Sequence, residues 1–360
     1  MKVVISAGGT GGHIYPALAI IQKIKEMEPD SEFLYIGTHN RMEKDIIPTY
    51  GIPFETIEIY GLHRKKIYKN VKTIKAFIKS YQKCKKLIKE FKPDVVIGAG
   101  GYVTGPVIYA AHKLGYPTFI HEQNSIPGKS NQFLSNFVDR IGVSFQSSIE
   151  KFPSYKTVFT GNPCSENAIL KPAMKKSELG LFEQKQLVLI VMGSLGSSKI
   201  NEYFVNIFST FHNKEYQVLY VTGKEAYDNL KKIKVPNNVK LVPYVENMTR
   251  IMKNTDIMVT RAGASTLSEI IALKIPSIII PSPYVPENHQ YKNAMDLVKA
   301  NAAMMIEEKD LKGDILVRNI DILIQDIKKR KEMQKKLKTL NIENSATIIY
   351  EQLKKIMVRK

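Results

Sequence analysis

Short apolar runs alternate along the chain with longer stretches in which apolar residues recur at helical spacing. In the first half these runs predict strands near Val3–Ser6, Phe33–Gly37, Phe54–Ile59, Val95–Gly98, Thr118–His121 and Arg140–Val143. In the second half they predict strands near Leu187–Met192, Gln217–Thr222, Lys240–Val242, Ile257–Thr260 and Ser277–Pro281. Strands that alternate with helices are typical of an α/β fold with mainly parallel sheets, and we predict that fold class.

The pattern starts again after a stretch that is rich in turn-forming residues and poor in periodicity, FPSYKTVFTGNPCSENAILKP. We place a linker near Gly161–Lys171. This predicts one α/β domain over residues 1–163, a second over residues 164–340, and a helical tail over residues 341–360 that packs back on the first domain. The length of 360 residues suits two domains, each with its own core.

The composition narrows the class of protein. With 44% hydrophobic and 24% charged residues, the chain has the composition of an ordinary globular protein. No apolar run approaches the roughly 20 residues that cross a bilayer, and glycines between Gly8 and His13 interrupt the N-terminal apolar stretch, so we expect no signal peptide. The formal net charge of +19 favours an anionic partner, which leaves a nucleotide, a nucleic acid and an anionic membrane surface as alternatives.

Three glycine-rich segments come directly after predicted strands: GGTGGH at 8–13, GAGGYVTG at 98–105 and GSLGSS at 193–198. Glycine permits positive φ angles and lets backbone N–H groups come close to a ligand. A helix that follows adds partial positive charge directed at an anion. Each segment alone is explained as well by a tight turn. Because three of them lie where open parallel sheets bind ligands, we predict an anion or sugar-phosphate site.

The first glycine segment matches neither of two common cofactor loops. The dinucleotide pattern G-x-G-x-x-G, started at Gly9, would need glycine where the chain has Ile14. No acidic residue closes the second strand at Tyr35-Ile36-Gly37-Thr38, and the Gly-Lys-Ser/Thr of a P-loop is also missing. A phosphate- or sugar-facing loop of another kind is therefore predicted.

Polar side chains at two strand ends of the first half are candidates for chemistry. His13 falls at the start of the first helix, where it would either cap and pack or act as a general base or substrate contact. The run His121-Glu122-Gln123-Asn124 ends another predicted strand. We interpret these four consecutive polar residues as functional, because packing alone does not account for them.

The second half contributes a different set of polar residues, in RAGASTLSE at 261–269 and PENHQYKNA at 286–294. Ser265 and Thr266 are predicted to cap a helix, and their hydroxyl and N–H groups suit a diphosphate. Glu269 lies one helical turn further on and is placed to accept hydrogen bonds from two hydroxyls of a ribose. Ordinary capping explains Ser265 but leaves Arg261 and Gln290 unexplained.

At these residues the sequence resembles the MurG-type N-acetylglucosaminyltransferases of bacterial peptidoglycan synthesis, which are two-domain glycosyltransferases of the GT-B fold. The matching stretches follow the family's order from residue 8 to residue 294: GGTGGHIYPA, GAGGYVTGP, HEQNSIPG, GNP at 161–163, RAGASTLSE and HQYKNA. The resemblance implies two Rossmann-like domains, with mainly parallel sheets, that face each other across a cleft. The first would take the acceptor and associate with the membrane, and the second would bind UDP-N-acetylglucosamine.

The resemblance also implies the reaction. N-acetylglucosamine would pass from UDP-N-acetylglucosamine to undecaprenyl-diphosphate-linked N-acetylmuramoyl-pentapeptide (lipid I), with inversion at the anomeric carbon, and give lipid II. The implied partners are these two substrates, the anionic inner-leaflet surface of the membrane and other cell-wall synthesis proteins, but no nucleic acid. The implied location is peripheral, on the cytoplasmic face of the cell membrane.

Roles for individual positions follow from the same resemblance. His13, Glu122, Tyr102 and Asn201 match family positions near the reacting centre. The implied substrate contacts are Thr10, Gly11, Gly12, Asn124, Ser194, Asn201, Val245 through its backbone to uracil, Arg261, Ala264, Ser265, Thr266, Leu267, Ser268, Glu269 and Gln290. Two positions depart from the family. Met192 stands where a glycine is usual, and Cys164-Ser165 follow GNP where some members carry an arginine that neutralises the diphosphate.

An inverting transfer needs a base for the acceptor hydroxyl and a group that stabilises the departing UDP. We rank His13 before Glu122 as the base, because histidine titrates near pH 7. No Asp-x-Asp motif occurs in the sequence, so we expect no metal held in that manner and no required cofactor; a divalent cation would at most stimulate. Backbone N–H groups, the helix start at 265–269 and Arg261 would then stabilise the diphosphate.

One further segment is strongly basic. Residues 62–92 contain twelve Lys and Arg residues and a single acid, Glu90. On a helical wheel, apolar residues and lysines occupy opposite faces: Ile67, Val71, Ile74, Phe77, Ile78 and Tyr81 against Lys65, Lys72, Lys75, Lys79, Lys83 and Lys86. The apolar face would pack on the core, adsorb to anionic lipid, or be shared between them. For a lipid-linked acceptor we favour membrane contact.

Two other functions remain as alternatives. A UDP-N-acetylglucosamine 2-epimerase shares the GT-B architecture but transfers to no acceptor, and the HEQN and GGYVTG stretches and the basic segment disfavour it. A nucleic-acid-binding protein would explain the charge. The chain lacks interleaved basic and aromatic residues and any known nucleic-acid motif, and the glycine segments would then have no role.

Overall fold

The computed structural model describes residues 1–61, 70–193 and 197–358, and it forms two compact units. Unit 1 comprises Met1–Glu166 and Asn344–Lys360, and unit 2 comprises Asn167–Glu343. The chain therefore passes from unit 1 to unit 2 after residue 166 and returns after residue 343, so that the C-terminal helix belongs to unit 1.

Unit 1 is built on one parallel sheet. Its described strands are β1 (Lys2–Ser6), β2 (Glu32–Thr38), β3 (Phe54–Ile57), β4 (Val95–Gly98), β5 (Thr118–Glu122), β6 (Arg140–Val143) and β7 (Thr157–Phe159). Its described helices are α1 (Gly11–Met27), α2 (Glu43–Ile46), α3 (Asn70–Phe91), α4 (Thr104–Lys113), α5 (Lys129–Leu134), α6 (Pro163–Leu170), which runs across the boundary, and α14 (Ser345–Met357). The strand order is β3-β2-β1-β4-β5-β6-β7.

Unit 2 repeats this architecture. Its described strands are β8 (Leu187–Val191), β9 (Gln217–Val221), β10 (Val239–Val242), β11 (Ile257–Thr260), β12 (Ser277–Ile279) and β13 (Met304–Met305). Its described helices are α7 (Ser198–Ile207), α8 (Lys224–Leu230), α9 (Met248–Met252), α10 (Ala264–Leu273), α11 (His289–Lys299), α12 (Ile315–Gln325) and α13 (Ile327–Leu340). The order β10-β9-β8-β11-β12-β13 is the same doubly wound order, and each recorded strand pair in both units is parallel.

Burial on both faces explains why the strands are continuous apolar runs. Val3, Val4 and Ile5 of β1 are all fully buried. Because side chains alternate along a strand, Val3 and Ile5 join the cluster that contains residues of α1 and α14, whereas Val4 joins the cluster that contains residues of α3 and α4. The sheet of unit 1 is thus covered by helices on each side.

The topology places the glycine segments at the points where ligands bind in such sheets. In unit 1, β1 pairs with β2 on one side and with β4 on the other; in unit 2, β8 pairs with β9 and β11. The connections that leave β1 and β4 lead to opposite sides of the sheet in unit 1, as do those that leave β8 and β11 in unit 2, and this reversal opens a crevice beyond the carboxyl ends of these strands. The first two glycine segments follow β1 and β4, and the third follows β8. RAGASTLSE follows β11, at the corresponding place in unit 2.

The tail helix α14 is tied to unit 1 through two acidic side chains. Glu28 accepts hydrogen bonds from Tyr350 (2.8 Å) and Lys354 (2.9 Å), and the bond from Lys354 is the largest cause that lowers its pKa to about 2. Glu166 accepts a hydrogen bond from the N–H of Ala346 (2.8 Å) at the start of α14. These contacts lie within unit 1 and account for the return of the chain to it.

The chain passes from unit 1 to unit 2 inside the predicted linker, Gly161–Lys171, but α6 makes most of this range helical instead of irregular. Pro163 opens the helix, where its missing N–H does no harm, and Asn162 Oδ1 accepts a hydrogen bond from the N–H of Cys164 (3.0 Å). The sequence also gave no sign of β7 and β13. With three and two residues, these strands are too short for a periodic pattern.

Helix α3 packs on unit 1 through a face that the helical wheel did not select. Its buried residues are Thr73, Ala76, Ser80, Cys84 and Ile88. Val71, Ile74 and Ile78 are exposed by 56%, 54% and 54% instead. Of the predicted apolar face, Tyr81 packs against the core of unit 1, whereas Val71, Ile74 and Ile78 do not, so the described part of that face is divided between core and surface. Ile67 and Lys65 lie outside the described residues. None of the described helices has the length and apolar character needed to cross a bilayer.

Candidate active site

The first glycine segment leads directly into α1, the helix of 17 residues that follows β1. Thr10 is its N-cap with extended backbone and makes no side-chain cap, and Gly11 and Gly12 are its first residues. Gly9 has a φ of 92°, which favours glycine. The predicted contacts Thr10, Gly11 and Gly12 thus lie together at the N-terminus of a long helix, where its dipole favours an anion.

The second glycine segment packs against the first. The N–H of Gly8 donates to the carbonyl of Gly100 (3.2 Å). A Cβ at Gly100 would lie 2.5 Å from Cδ2 of His13, and a Cβ at Gly101 would lie 2.4 Å from the carbonyl oxygen of Gly8. Both positions need glycine for this reason and because their φ angles are 98° and 91°. Tyr102 follows, with 58% of its side chain exposed.

His13 is held in one tautomer by the backbone. Its Nδ1 lies 3.0 Å from the carbonyl oxygen of Gly8. Because a carbonyl oxygen only accepts hydrogen bonds, Nδ1 carries the proton and the neutral ring has its lone pair on Nε2. The side chain is partly exposed. This geometry leaves Nε2 as the atom that can take a proton from a substrate.

Glu122, the second candidate base, uses both of its oxygens inside the protein. Oε1 accepts hydrogen bonds from the N–H of Asn124 (3.0 Å) and its side-chain amide (3.2 Å). Oε2 accepts from the N–H of Gly128 (2.9 Å) and from Asn131 (2.8 Å). The side chain is only 2% exposed. Glu122 therefore shapes the segment from 124 to 131, and the geometry favours His13 as the base. Asn124, a predicted donor contact, lies at the start of this segment.

The neighbouring His121 and Gln123 also point inward, so internal hydrogen bonds account for two of the four polar residues that the sequence analysis interpreted as functional. His121 is fully buried, and burial is the main cause that lowers its pKa to about 4. Its Nε2 bonds with the carbonyl of Gly161 (3.0 Å), and its Nδ1 lies 3.1 Å from the amide nitrogen of Gln123. The same amide donates to the carbonyl of Ala99 (3.0 Å). A neutral His121 and Gln123 thus join the ends of β4, β5 and β7.

In unit 2, the start of α10 differs from the predicted capping. Gly263 is the N-cap, so Ala264, Ser265 and Thr266 occupy the first turn, and the prediction that Ser265 or Thr266 caps the helix is wrong. The hydroxyl of Ser265 is buried and has no hydrogen-bond partner within the described protein. An orphaned buried hydroxyl at a helix N-terminus fits a ligand with acceptor oxygens, which suits the predicted diphosphate contact.

The remaining predicted residues of α10 have different surroundings. Leu267 is fully buried, and the hydroxyl of Ser268 donates to the carbonyl of Ala264 (2.9 Å), so both stabilise the helix itself. Glu269 is partly exposed along its side chain. Burial of the carboxyl raises its pKa to about 7, against a smaller opposing effect of Lys171. A carboxylate so poorly solvated gains from hydroxyl donors, as a ribose would provide.

Arg261 has a structural explanation that the sequence did not reveal. It is nearly buried and forms an ion pair with Glu308 (2.6 Å). It also donates to Ser197 (3.0 Å) and to the carbonyl of Ile280 (3.1 Å). Since Ser197 is the N-cap of α7, Arg261 ties the end of the third glycine segment to β11 and β12. Its charge is already paired, and contact with a diphosphate stays a prediction.

The other predicted contacts of unit 2 surround the same strand ends. Ser194 lies outside the described residues, while Gly193 before it has a φ of 91°. Asn201 is buried in α7 and accepts a hydrogen bond from Tyr220. Val245 is buried, and Gln290 near the start of α11 accepts from the N–H of Ser282 (2.8 Å). In the described part of the chain, there is no group of three or more His, Cys, Asp or Glu side chains that could hold a metal ion.

Two acids in these regions were missed by the sequence analysis. Glu308 pairs with Arg261, and Glu43, fully buried, accepts a hydrogen bond from the N–H of Gly9 (3.0 Å) in the first glycine segment. Glu43 opens the four-residue helix α2, and Glu308 opens a 3-10 helix of three residues. A single buried carboxylate leaves no periodic signal there, so only the three-dimensional contact reveals it.

Comparison with known proteins agrees with this geometry. Residues 3–143 match the glycosyltransferase family 28 N-terminal domain and residues 187–349 match the C-terminal domain of that family. A UDP-N-acetylglucosamine–N-acetylmuramyl-(pentapeptide) pyrophosphoryl-undecaprenol N-acetylglucosamine transferase of Bacillus cytotoxicus is 48% identical, over 99% of this chain and 100% of its own length. The crystal structure of Acinetobacter baumannii MurG aligns with a TM-score of 0.79 at 25% identity, over 98% of this chain and 99% of that one.

A Neisseria meningitidis UDP-GlcNAc 2-epimerase aligns with a TM-score of 0.69 at 16% identity, over 99% of this chain and 100% of that one. At that identity the likeness shows the shared fold and does not distinguish the two activities. The relative at 48% identity is named as a transferase, and both domains match models of the same glycosyltransferase family. The chain belongs to the MurG-type N-acetylglucosaminyltransferases of glycosyltransferase family 28.

Proposed function

We propose that this protein transfers N-acetylglucosamine from UDP-N-acetylglucosamine to lipid I, with inversion at the anomeric carbon, and so forms lipid II. The observation that carries the proposal is the 48% identity, over the full length, to a relative whose name states this transfer. The proposal also gives a use to glycine segments at the ligand-binding ends of both sheets.

In this proposal, unit 2 holds the nucleotide. The first turn of α10 receives the diphosphate on its N–H groups and on the unpartnered hydroxyl of Ser265. Glu269 accepts hydrogen bonds from the ribose, and Val245 contacts the uracil through its backbone. Gln290 near the start of α11 and Asn201 in α7 complete the set together with Ser194. Preorganised donors of this kind each stabilise a transition state by roughly 2.7–4 kcal/mol.

The residues of unit 1 act on the acceptor and on the sugar. Nε2 of His13 takes the proton of the acceptor hydroxyl while the hydroxyl oxygen bonds to the anomeric carbon. The bond from that carbon to the diphosphate oxygen breaks, and UDP leaves with the electron pair. The imidazolium then releases its proton to solvent. Thr10, Gly11, Gly12 and Asn124 position the sugar, and the exposed ring of Tyr102 lines the path of the acceptor.

The acceptor carries a lipid, and α3 offers a surface that fits a membrane. Val71, Ile74 and Ile78 are more than half exposed, and Lys72, Lys75 and Lys79 are exposed among them. We call these six residues the membrane face. Exposed apolar side chains enter the boundary of the bilayer, and each nearby lysine adds about 1 kcal/mol on anionic lipid. This surface supports a peripheral location of the protein, on the cytoplasmic face of the cell membrane.

The reaction is tested with purified protein, UDP-N-acetylglucosamine labelled in the sugar, and lipid I. We expect label to move into the organic phase, in a product from which mild acid, by cleaving the sugar–diphosphate bond, releases the labelled sugar still joined to the N-acetylmuramoyl-pentapeptide. An epimerase would instead convert the nucleotide sugar without an acceptor and leave the label in the aqueous phase. Conversion of the labelled donor that does not depend on lipid I would therefore overturn the proposal.

The membrane face is tested separately by sedimentation with vesicles. We expect the wild type to bind vesicles that contain phosphatidylglycerol better than vesicles of phosphatidylcholine, and Ile74→Asn with Ile78→Asn to lose most of this binding. Ile322→Asn is the matched control, because Ile322 is an apolar residue of unit 2 that is 45% exposed. Equal binding to both kinds of vesicle, or an equal loss in the control, would remove the membrane face from the proposal.

A further inference from the structure

Glu43 is a buried acid that the reaction as described does not use. It is the first residue of α2 and is fully buried. Within the described part of the chain, it forms no ion pair with a cation. Oε1 accepts hydrogen bonds from the N–H (3.1 Å) and the hydroxyl (2.6 Å) of Thr38, and Oε2 accepts from the N–H of Gly9 (3.0 Å). A buried carboxylate without a cation destabilises a fold, so its presence calls for a reason.

The surrounding backbone is adapted to admit this carboxylate. A Cβ at Gly8 would lie 2.4 Å from Oε1 of Glu43, and a Cβ at Gly37 would lie 2.8 Å from its Cγ. Any other residue at these positions would displace Glu43 or the loop. Gly8 is thus explained by the approach of Glu43 to the first glycine segment, whereas Gly37 makes room both for Glu43 and for the ring of Phe54, whose Cε2 would lie 2.7 Å from a Cβ there.

The hydrogen bonds of Glu43 and His13 meet on one peptide group. The carbonyl of Gly8 and the N–H of Gly9 belong to the same amide. Its N–H donates to Oε2 of Glu43 (3.0 Å), and its carbonyl oxygen accepts from Nδ1 of His13 (3.0 Å). Hydrogen bonds in a chain polarise one another, so a carboxylate on the N–H side makes the carbonyl oxygen more negative. A more negative oxygen stabilises the protonated imidazole on the other side.

We propose that Glu43 is a positioning residue that acts on His13 through the Gly8–Gly9 peptide group. It holds the ring in the Nδ1–H tautomer and increases the basicity of Nε2, as a carboxylate does by direct contact in carboxylate–histidine pairs. Here the amide relays the effect, and no proton moves to Glu43. This inference rests on the proposed role of His13 as the base.

Other groups lie close to this relay and must be separated from Glu43 in a test. The hydroxyl of Tyr35 on β2 donates to the carbonyl of Ala7 (2.8 Å), and burial, followed by the charge of Glu43, raises the pKa of Tyr35 well above its usual value. The β4–α4 segment packs against His13 through Gly100, and its nearest titratable side chain along the chain is Tyr102. Because its pKa is raised, Tyr35 stays neutral across the pH range in which histidine titrates.

The test is a titration of His13 by NMR in protein labelled with ¹⁵N-histidine, without substrate. The chain has seven histidines, so the His13 signals are assigned by their loss in His13→Ala. We expect the Nδ1–H tautomer in the wild type. In Glu43→Gln we expect Nε2 of His13 to be less basic than in the wild type, because a nearby negative charge is removed. The turnover number should fall about tenfold with little change in the Michaelis constant for the donor, and the acid limb of the pH profile should move to lower pH.

Thr38→Val is the matched control. It removes a hydrogen bond from the other oxygen of Glu43 but keeps the charge and the bond to Gly9. We expect the tautomer and the pKa of His13 to match the wild type in this variant. The inference is overturned if Glu43→Gln, folded by circular dichroism, has the same His13 pKa and tautomer as Thr38→Val.

A readout in the wild type covers the case in which Glu43→Gln does not fold. The amide proton of Gly9 should resonate downfield and should shift in step with the titration of His13, because both hydrogen bonds share one amide. A Gly9 amide signal that is insensitive to that titration would also overturn the relay. Neither NMR measurement depends on transfer of the sugar. Failure of the labelled-sugar assay would therefore reject the proposed function and leave the relay standing.

Discussion

The two units share one strand order but stabilise their ligand-binding ends with opposite charges. In unit 1 a carboxylate, Glu43, lies under the segment that follows β1, and the N–H groups of Gly8 and Gly9 are both occupied by protein acceptors. In unit 2 a guanidinium, Arg261, lies at the corresponding edge and ties down Ser197, while the hydroxyl of Ser265 stays unpartnered. With the same topology, the charges and hydrogen bonds of unit 1 therefore favour a basic histidine, and those of unit 2 favour the binding of an anion.

The comparison teaches that strand order alone does not assign a ligand. Both units carry glycine segments at the same topological positions, at the ends of central strands where open parallel sheets bind ligands. The hydrogen bonds decide which donors remain available to a ligand. This difference is tested by variants in each unit: those in unit 1 should lower turnover, and those in unit 2 should lower nucleotide affinity.

The largest effect is expected for His13→Ala. The turnover number should fall by about 10²–10⁴, which is the usual contribution of a general base, while the dissociation constant for UDP-N-acetylglucosamine changes by about twofold or less. Initial rates with lipid I and calorimetric titration with the donor measure the two quantities. The exposed His212 of unit 2 supplies a control, since His212→Ala should change neither. A large loss of donor affinity in His13→Ala would show that His13 binds the donor. The proposed difference between a catalytic unit 1 and a nucleotide-binding unit 2 would then be wrong.

Glu122→Ala should lower the stability of the folded protein, whereas His13→Ala should not. Removal of the carboxylate leaves buried donors of Gly128 and Asn131 without an acceptor, and we expect the free energy of unfolding to fall by about 3 kcal/mol. Urea unfolding measures this loss. If the variant kept its stability and lost turnover, Glu122 would return as the base of unit 1.

Glu269→Gln tests the ionisation state in unit 2. The pKa of about 7 in the folded protein lies above the ordinary value of 4.5, so between these values the folded state holds a proton that the unfolded state has lost. The wild type therefore loses stability as pH rises from 4.5 to 7. Glu269→Gln should gain up to roughly 3 kcal/mol of stability at pH 8 and almost none at pH 4.5.

The same variant should weaken donor binding by about tenfold at pH 8, because hydrogen bonds from ribose to a charged acceptor are lost. Wild-type affinity should rise through pH 7 as the carboxylate forms, whereas the affinity of Glu269→Gln should not depend on pH. Thermal unfolding and calorimetry across this range test both parts. A wild-type affinity that is constant from pH 5 to pH 8 would show that Glu269 does not hold the ribose.

The smallest effect is expected for Ser265→Ala. One neutral hydrogen bond to the diphosphate is lost, so donor affinity should fall about fivefold. The free protein should be as stable as the wild type or slightly more so, because a buried hydroxyl without a partner is removed. Unchanged affinity would mean that the hydroxyl faces no ligand, and the contrast between the units would then rest on Glu269.

The elements with long, regular patterns could be predicted from the sequence, and the contacts of single side chains could not. The helical wheel of α3 identified an apolar face, but small residues such as Ala76 and Ser80 pack on the core and leave Ile74 and Ile78 outside. Hydrophobicity alone does not show how closely two elements approach, and small side chains allow the closer contact. Arg261 likewise stood out in the sequence, but its partner Glu308 lies 47 residues further along the chain.

The sequence by itself determined the α/β class, the strands of three or more residues except β7, the glycine segments at their ends and the family. These features follow from local periodicity and from motifs that lie within a few residues of each other. Only the tertiary structure decided that His13 carries its proton on Nδ1, that Glu122 is occupied and that Glu43 meets the Gly8–Gly9 peptide group. The physical reason is that hydrogen bonds act over about 3 Å in space, and separation along the chain contains no information on that distance.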